Sequence, residues 1–307
     1  MESQTSLGIV GFGEVGFYTA KGLKESGFGD ICAYNSGERN RPPYTQAYRD
    51  RADGIGVTLV DSIPEMAARA QTIFSATSPA TAAQVAQVVA PHLGPPHLYV
   101  DMNSCGPRAK LEAAKSITTT GADFVDACLM SSPFTSLHRG LTYVSGPRAE
   151  EVRRQFAPYG MDIEVIPDGK VGDAALLKML RSILTKGSMT IFWELSYAAY
   201  KCGVDLRQFE RALGVGRGDF FAGADRTVAH GYIHARRRAE EAHDMEETLR
   251  DYGVEPHLAE AYEKRFLWAS KWEKELRREF EDKPAPSALD VVRLIDELYQ
   301  RAPHELT

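Results

Sequence analysis

The amino-acid sequence predicts an α/β fold, with a doubly wound, mainly parallel sheet in a first domain and only helices in a second. Two observations support this prediction. Short β-rich segments alternate with helical segments over the first half of the chain, as in βαβ units. The β-rich pattern stops near Pro167-Asp168-Gly169, and from Val171 onward the pattern is helical. We therefore predict domains over residues 1–168 and 169–307.

The predicted elements follow one another in a regular order. Strands are predicted at residues 7–10, 31–34, 71–76, 98–101, 123–127, 142–145 and 163–166. Helices of the first domain are predicted at 17–25, 62–69, 80–89, 109–117 and 149–156. A long, largely apolar helix over 172–200 joins the two domains, and the helices after it are predicted at 206–213, 225–251, 256–278 and 287–300.

Composition narrows the classes of function. The 307 residues are 43% hydrophobic and 25% charged, and the net charge of -6 gives no reason to expect nucleic acid or an anionic membrane as a partner. The polar amino terminus lacks the pattern of a signal peptide, and no apolar run has the length of a membrane span. The four cysteines form no Cys-x-x-Cys pair, so we expect a cytoplasmic protein without a metal site or disulfide framework.

A glycine-rich motif follows the first predicted strand. Gly11, Gly13 and Gly16 form a G-x-G-x-x-G between a strand and a helix, which is typical of dinucleotide binding in the Rossmann fold. The first glycine lets the chain turn, the second lets the backbone approach a pyrophosphate, and the third lets the helix pack closely on the sheet. The free N–H groups at the start of that helix would hold the phosphates. The predicted cofactor contacts in this motif are Gly11, Phe12, Gly13, Glu14, Val15 and Gly16.

The end of the second strand bears on the choice of cofactor. In Rossmann domains an acidic residue at this position holds the ribose hydroxyls of NAD. This chain has Asn35 followed by Ser36, Arg39 and Arg41, so the carboxylate that would repel a 2′-phosphate is missing and several donors are present. The pattern favours NADP as the cofactor. NAD stays the alternative, because arginines in a loop are often simply solvated charges.

The third predicted strand, at residues 71–76, ends in a further polar segment. Carboxyl ends of strands in such a sheet face the cofactor crevice, so we predict that Ala76, Thr77 and Ser78 contact the cofactor. The alternative is a capping role, in which Ser78 or Thr81 opens the helix that begins near Ala82.

Two loops of small polar residues follow the next two strands. In the first, at 101–107, Asn103 is predicted to contact the cofactor and Ser104 the substrate. In the second, at 126–133, Ser131 and Ser132 are predicted to bind the substrate. Loops of this kind expose N–H groups that suit a carboxylate or phosphate, although an ordinary β-to-α turn explains the same residues.

Lys178 lies in a polar stripe on the long helix. With Arg181, Ser182 and Thr185 it falls at the spacing i, i+3, i+4 and i+7, on one side of an otherwise apolar helix. A solvated helix face is the alternative explanation. A lysine in a dry cleft beside Arg181 would have a lowered pKa, which suits general acid–base chemistry near neutral pH.

Histidines in the helical domain form a weaker pattern. His230 and His234 are spaced i, i+4 on a predicted helix and precede Arg236, Arg237 and Arg238. Two histidines are too few ligands for a metal site, so we predict none. His234 is predicted to contact an anionic substrate, and a solvated or interfacial charge run is the alternative.

Together these motifs resemble those of the β-hydroxyacid dehydrogenase family, which includes 3-hydroxyisobutyrate and 6-phosphogluconate dehydrogenases. Residues 101–107 are similar to the family's D-x-S-T-x-x-P segment, and 126–132 to its D-A-P-V-S-G-G segment. Lys178 stands where the family has its catalytic lysine, but Arg181 and Ser182 replace the two asparagines that usually follow. The C-terminal pattern resembles a subgroup with a divergent helical domain.

The resemblance implies an NAD(P)-dependent enzyme that transfers hydride between the nicotinamide and a small anionic hydroxy acid, or the matching aldehyde or ketone. Lys178 would be the general acid/base, Ser182 would orient the substrate, and Arg181 would bind its acid group. Further donors around the carboxylate would come from Ser104, Ser131 and Ser132. The resemblance also implies a homodimer formed through the C-terminal helical domain.

Two other functions stay open at this point. Imine reductases resemble this architecture, but they typically have an Asp or Tyr nearby instead of the lysine at position 178. A non-catalytic NADP-binding scaffold protein would also keep the fold, because fold alone does not establish function.

Overall fold

The computed structural model describes residues 6–37, 40–205, 228, 231–253, 255–280 and 286–301. Contacts between residues divide the chain into two compact units, Met1–Met179 and Leu180–Thr307. This division falls inside a long helix, α8 (Asp173–Cys202), whereas the predicted boundary after residue 168 precedes that helix. The boundary at 168 stays a prediction.

The first unit is built on one eight-stranded sheet. Its strands are β1 (Ser6–Val10), β2 (Asp30–Tyr34), β3 (Thr58–Leu59), β4 (Thr72–Ser75), β5 (Leu98–Asp101), β6 (Asp123–Leu129), β7 (Thr142–Ser145) and β8 (Ile163–Val165). Their order across the sheet is β3-β2-β1-β4-β5-β6-β7-β8. Strands β1 to β6 are parallel, β7 is antiparallel to β6, and β8 is parallel to β7. The predicted fold class is confirmed, and the six parallel strands end along one edge of the sheet.

Helices of the first unit connect these strands. They are α1 (Glu14–Glu25), α2 (Gln46–Asp53), α3 (Ile63–Arg69), α4 (Ala82–Val89), α5 (Pro107–Thr118), α6 (Pro133–Ser136), α7 (Ala149–Phe156) and the start of α8. The sequence analysis missed α2, β3 and the short α6. Helix α2 buries only Tyr48 and Ala52 and is otherwise mostly polar, so its apolar pattern is short, and β3 has only two residues.

Each face of the sheet carries its own hydrophobic core. Leu7 and Ile9 of β1 enter one core, whereas Val10 enters the other, as the alternation of side chains along a strand requires. A Cβ on Gly8 would lie 2.6 Å from Cδ1 of Ile73, so glycine lets the second face pack closely. Burial on both faces explains the continuous apolar run of β1.

The described elements of the second unit are all helical. Besides the rest of α8 they are α9 (Ala235–Asp251), α10 (His257–Ser270), α11 (Glu273–Phe280) and α12 (Ala288–Arg301). The single helix predicted over 256–278 is wrong, because a turn at residues 271–272 interrupts it between α10 and α11. There Oγ of Ser270 donates to the Leu267 carbonyl at 2.8 Å, a local bond that competes with helix continuation. The helix predicted over 206–213 lies outside the described residues.

Aromatic rings form the core of the second unit. The rings of Trp193 and Tyr232 stack with centroids 3.9 Å apart, and Phe266 meets Trp193 edge-on. Trp193 is fully buried, and its Nε1 donates to the Val228 carbonyl at 3.1 Å. A Cβ on Gly231 would lie 2.3 Å from the Trp193 ring. No described helix combines the length and the apolar character that crossing a membrane requires.

Candidate active site

Two glycines of the loop after β1 are required by the packing of the protein itself. Gly11 has a φ of +92°, and a Cβ there would lie 2.4 Å from the Ala76 carbonyl oxygen. A Cβ on Gly16 would lie 2.2 Å from the Gly11 carbonyl oxygen. Only glycine therefore lets the chain turn at the first position and lets α1 pack this closely at the third.

Gly13 differs from these two glycines. A Cβ there would meet no described atom within 4 Å, so the fold does not itself require glycine. Helix α1 begins at Glu14, Gly13 is its N-cap, and no described side chain caps it. Uncapped N–H groups at a helix start bind phosphate, and the bare Gly13 lets a ligand approach the backbone. The residues present therefore fit a dinucleotide. Val15 is partly buried. The Phe12 side chain is fully buried, so it is not exposed to a ligand.

Asn35 ties the glycine loop to the loop after β2. The Phe12 N–H donates to its Oδ1 at 3.0 Å, and its Nδ2 donates to the Asn40 carbonyl at 2.8 Å. Asn35 thus places a neutral amide at the predicted ribose position. The same amide holds the glycine loop and the loop after β2 together. Ser36 and Arg41 are exposed, whereas Arg39 lies outside the described residues.

Two tyrosines that the sequence analysis missed support the same loop. The Tyr48 hydroxyl donates to the Phe12 carbonyl at 2.8 Å, and burial raises the pKa of Tyr48 to about 12. The Tyr44 hydroxyl donates to the Val60 carbonyl at 2.9 Å and accepts from the Asn35 N–H at 3.1 Å. Tyr44 lies just before the N-cap Thr45 and Tyr48 in the first turn of α2, and the i, i+4 spacing of the two rings was the available signal.

The ends of β4 and β5 are joined by Asn103. Its Oδ1 accepts from the Thr77 N–H at 2.6 Å, and its Nδ2 donates to Ser75 Oγ at 3.0 Å and to Asp101 Oδ1 at 2.7 Å. Asn103 is 2% exposed, so its side chain holds the Thr77 backbone from inside the protein. The polar atoms of this side chain bond within the protein, and contact of Asn103 with a cofactor stays a prediction.

Ser78 and Thr81 lie just beyond this junction. Helix α4 begins at Ala82, but Thr81 makes no side-chain capping bond to it. Instead the hydroxyls of Ser78 and Thr81 bond to each other at 2.8 Å. Ser78 is exposed and Thr77 partly buried at the edge where the parallel strands end, beside the buried Ala76.

Lys178 forms hydrogen bonds at the ends of both β5 and β6. Its Nζ donates to Oγ of Ser104, in the loop after β5, at 2.6 Å. It also donates to the carbonyl of Leu129, the last residue of β6, at 2.8 Å. Lys178 and Ser104 are both partly buried. The structure therefore brings the predicted catalytic lysine and one predicted substrate-binding serine together at the edge that carries the glycine loop.

Ser131 and Ser132 lie in the loop after β6. Both are exposed, and Ser132 is the N-cap residue of the short α6. Oγ of Ser131 and Oγ of Ser136 are 2.9 Å apart, and Ser136 also donates to the Ser132 carbonyl at 2.8 Å. The Ser131 side chain packs on Gly140, where a Cβ would lie 1.9 Å from its Oγ.

A buried ion triad behind Lys178 was missed by the sequence analysis. Nζ of Lys110 lies 3.2 Å from Asp101 Oδ1 and 3.0 Å from Asp126 Oδ1, and all three side chains are fully buried. Burial alone would lower the pKa of Lys110, but the attraction of the two carboxylates outweighs it and holds that pKa well above its usual value. In the sequence Lys110 resembles an ordinary surface lysine of a helix, so no sequence pattern indicated that it is buried.

The triad reaches the start of α8. Asp126 Oδ2 accepts from the Ala175 N–H at 2.9 Å, and Ser145 Oγ accepts from the Ala174 N–H at 3.1 Å. Two side chains of the sheet therefore cap the helix that carries Lys178.

Cys128 is not a nucleophile of this site. It is fully buried, and burial raises the pKa of its thiol to about 12. A thiol with that pKa stays protonated at neutral pH, and the thiolate is the reactive form.

Three predicted substrate-binding residues belong to the second unit. Arg181 is exposed, whereas Ser182 is 3% exposed. His234 lies in a turn before α9 with a φ of −121°, so the continuous helix predicted over 225–251 is wrong there. Nη2 of Arg277 donates to Nδ1 of His234 at 3.2 Å, which holds the ring at this turn. His230 lies outside the described residues.

Comparison with known proteins defines the class of this site. Residues 6–156 match a family model described as the NAD binding domain of 6-phosphogluconate dehydrogenase, and residues 199–268 match a domain of unknown function (DUF1932). The first unit is therefore an NAD-binding domain, and its cofactor is a nicotinamide dinucleotide.

Solved structures extend the similarity over the chain. A conserved protein of unknown function, described as structurally similar to 3-hydroxyacid dehydrogenases, is 29% identical with a TM-score of 0.64, over 87% of this chain and 99% of that one. The domain match and this relative show that the chain belongs to the β-hydroxyacid dehydrogenase family.

More distant structures share the fold. The 3-hydroxyisobutyrate dehydrogenase of Mycobacterium tuberculosis, solved with L-serine, is 14% identical with a TM-score of 0.71, over 95% of this chain and 99% of that one. An imine reductase of Streptomyces aurantiacus is 16% identical with a TM-score of 0.58, over the same shares of the two chains.

Proposed function

We propose that this protein is an NAD(P)-dependent dehydrogenase or reductase that interconverts a small hydroxy acid and the matching aldehyde or ketone. One observation carries the proposal. The amine of Lys178 is held by Ser104 and the Leu129 carbonyl at the edge of the sheet where the glycine loop also lies. A proton-transferring group and a dinucleotide-binding loop on one edge suit the removal of a proton and a hydride from one substrate.

The residues at this edge suit proton transfer in both directions. A bound nicotinamide supplies the hydride acceptor for oxidation and the donor for reduction. In oxidation the neutral amine of Lys178 takes the proton of the substrate hydroxyl, and in reduction the ammonium returns it. The Ser104 hydroxyl can accept from the ammonium and donate to the neutral amine, so it supports both forms of Lys178.

An anionic substrate is the second part of the proposal. Ser131 and Ser132 offer exposed hydroxyls after β6, and Arg181 offers an exposed cation on α8. We assign the substrate carboxylate to these groups, with Ser182 and His234 as further contacts. Replacement of Arg181 by methionine should raise the KM for the acid and leave the KM for the cofactor unchanged.

NADP is the proposed cofactor. The amide of Asn35 places no negative charge at the end of β2, and the exposed Ser36 and Arg41 can donate to a 2′-phosphate. Asn35→Asp should therefore weaken NADPH binding more than NADH binding, as measured by fluorescence titration of both. An unchanged ratio of the two affinities would argue against this assignment.

A homodimer formed through the second unit is also proposed. Leu184 is 74% exposed and Ile191 is 64% exposed on α8, and exposed apolar residues in helical spacing commonly mark an interface. Light scattering should give twice the mass of one chain for the wild type. Leu184→Glu should lower that mass, whereas Leu111→Glu, at another exposed leucine, should not.

The reaction class is tested with substrate panels. The protein is incubated with NADP+ and a panel of hydroxy acids, and with NADPH and a panel of cyclic imines, while the nicotinamide absorbance is followed. Turnover with a hydroxy acid supports the proposal. Turnover with imines alone would identify an imine reductase, a fold relative. Cofactor binding without turnover on either panel would favour a non-catalytic scaffold.

A further inference from the structure

The buried Lys110 contacts both strands that hold Lys178. Its Nζ donates to the Asp101 carbonyl at 2.7 Å, at the end of β5, and lies 3.4 Å from the Ala127 carbonyl in β6. Ser104 follows Asp101 by three residues, and Leu129 follows Ala127 by two. The two groups that bind the Lys178 amine therefore come from backbone that Lys110 holds together.

A second connection runs through Asp126. Its Oδ1 faces Lys110 at 3.0 Å, while its Oδ2 accepts from the Ala175 N–H at 2.9 Å. Ala175 lies one helical turn before Lys178, so its amide fixes the axis of α8 and the point from which the Lys178 side chain extends.

The charges explain why a lysine is needed at position 110. Asp101 and Asp126 are both fully buried and both within 3.2 Å of the same amine. Without that amine two buried carboxyl groups would lie in a site that excludes water with no cation between them, which is energetically costly. Lys110 thus provides the positive charge between Asp101 and Asp126, and Asp126 in turn caps α8.

We propose that Lys110 is a positioning residue for the reaction, because through Asp126 and the two strand ends it sets the position of the Lys178 amine. This inference rests on the proposed function, in which Lys178 transfers the proton. A lysine that served only to stabilise the sheet would affect folding and cofactor binding as much as turnover.

The test compares Lys110→Met and Asp126→Asn with Lys115→Met, which removes an exposed lysine from the same helix. We expect both buried variants to lose about tenfold or more in kcat, because small misplacements of a catalytic group are costly. Their KM for NADPH should stay within about twofold of the wild type. Lys115→Met should resemble the wild type in both constants.

A second readout needs no turnover. The rate at which an acylating reagent labels the Lys178 amine is measured by mass spectrometry, with the exposed Lys170 as the internal reference. Labelling of Lys178 should change in Lys110→Met and Asp126→Asn, and labelling of Lys170 should not. If Lys110→Met fails to fold, Asp126→Asn, which keeps the shape of the site, decides the outcome.

Two results would overturn the inference. One is wild-type kcat and wild-type labelling of Lys178 in a folded Asp126→Asn. The other is an equal loss of cofactor affinity and kcat, which would indicate a purely structural role. Lys178→Met is measured in parallel: if it keeps turnover, the proposed function is wrong, whereas an inactive Lys178→Met beside a fully active Asp126→Asn refutes only the positioning role.

Discussion

Nζ of Lys178 lies 2.6 Å from Oγ of Ser104, although 74 residues separate the two in the chain. The bond joins the second turn of α8 to the loop after β5, and a further bond joins Lys178 to the last residue of β6. The amine therefore has a defined position relative to the parallel strands that carry the cofactor loop. General acid–base catalysis depends on such a defined position more than on the residue type alone.

Ser104 should matter for turnover and not for cofactor binding. Ser104→Ala removes the hydroxyl that can partner both forms of Lys178, so kcat should fall about tenfold or more. The affinity for NADPH should stay unchanged, because the glycine loop is untouched. Ser116→Ala, which removes a hydroxyl from the surface of α5, is the matched control. Steady-state kinetics and a fluorescence titration check both expectations, and equal losses in the two variants would contradict them.

Gly13 and Gly16 should respond differently to replacement by alanine. Gly13→Ala meets no described atom within 4 Å, so it should leave the free energy of unfolding unchanged and weaken NADPH binding about tenfold or more, because the methyl group blocks approach to the backbone. Gly16→Ala would place its Cβ 2.2 Å from the Gly11 carbonyl oxygen, so it should lower stability as well. Urea denaturation and cofactor titration of both variants separate the two effects.

That comparison also tests the fit of the cofactor. Tight NADPH binding by Gly13→Ala would show that no ligand approaches the loop at this position.

His138 should make the first unit less stable in acid. It is 2% exposed, with Nε2 2.7 Å from the Tyr159 carbonyl, and burial lowers its pKa below the usual value. Because the folded-state pKa is the lower one, the unfolded chain binds the proton first. The contribution of neutral His138 to the free energy of unfolding is complete above the pKa of histidine in the unfolded chain. It is lost as the pH falls through the pKa of His138 in the folded protein.

The measurement is urea denaturation from about pH 8 to about pH 5, where the neutral imidazole takes up its proton. The free energy of unfolding should fall more steeply with acid in the wild type than in His138→Gln. His92→Gln, at an exposed histidine, should behave like the wild type. Identical slopes in all three proteins would show that burial of His138 has no such effect.

The cofactor loop could be predicted closely, because its chemistry is local. Gly11, Gly13 and Gly16 are close in sequence, and each has a separate requirement that the spacing itself indicates. The strand that precedes them was predicted from one apolar run, and Ser6–Val10 confirms it. Lys178 could be proposed for a related reason, since a polar stripe on an apolar helix is a local pattern.

Interactions between distant segments could not be predicted in the same way. Lys110 is fully buried only because the ends of β5 and β6 bring Asp101 and Asp126 to one amine. Nothing near Lys110 in the sequence distinguishes it from Lys115, which is exposed. Asn103 shows the same difficulty: its place in a polar loop predicted contact with the cofactor, but nothing in the sequence indicated the bonds of its amide to Thr77 and Asp101.

The role of Lys178 is tested most directly by single-turnover hydride transfer in Lys178→Met, with cofactor saturating and Lys170→Met as the control. The account predicts that Lys178→Met binds NADPH with wild-type affinity and transfers hydride about 10²-fold or more slowly, while Lys170→Met transfers it at the wild-type rate. Near-wild-type transfer by Lys178→Met would contradict the account.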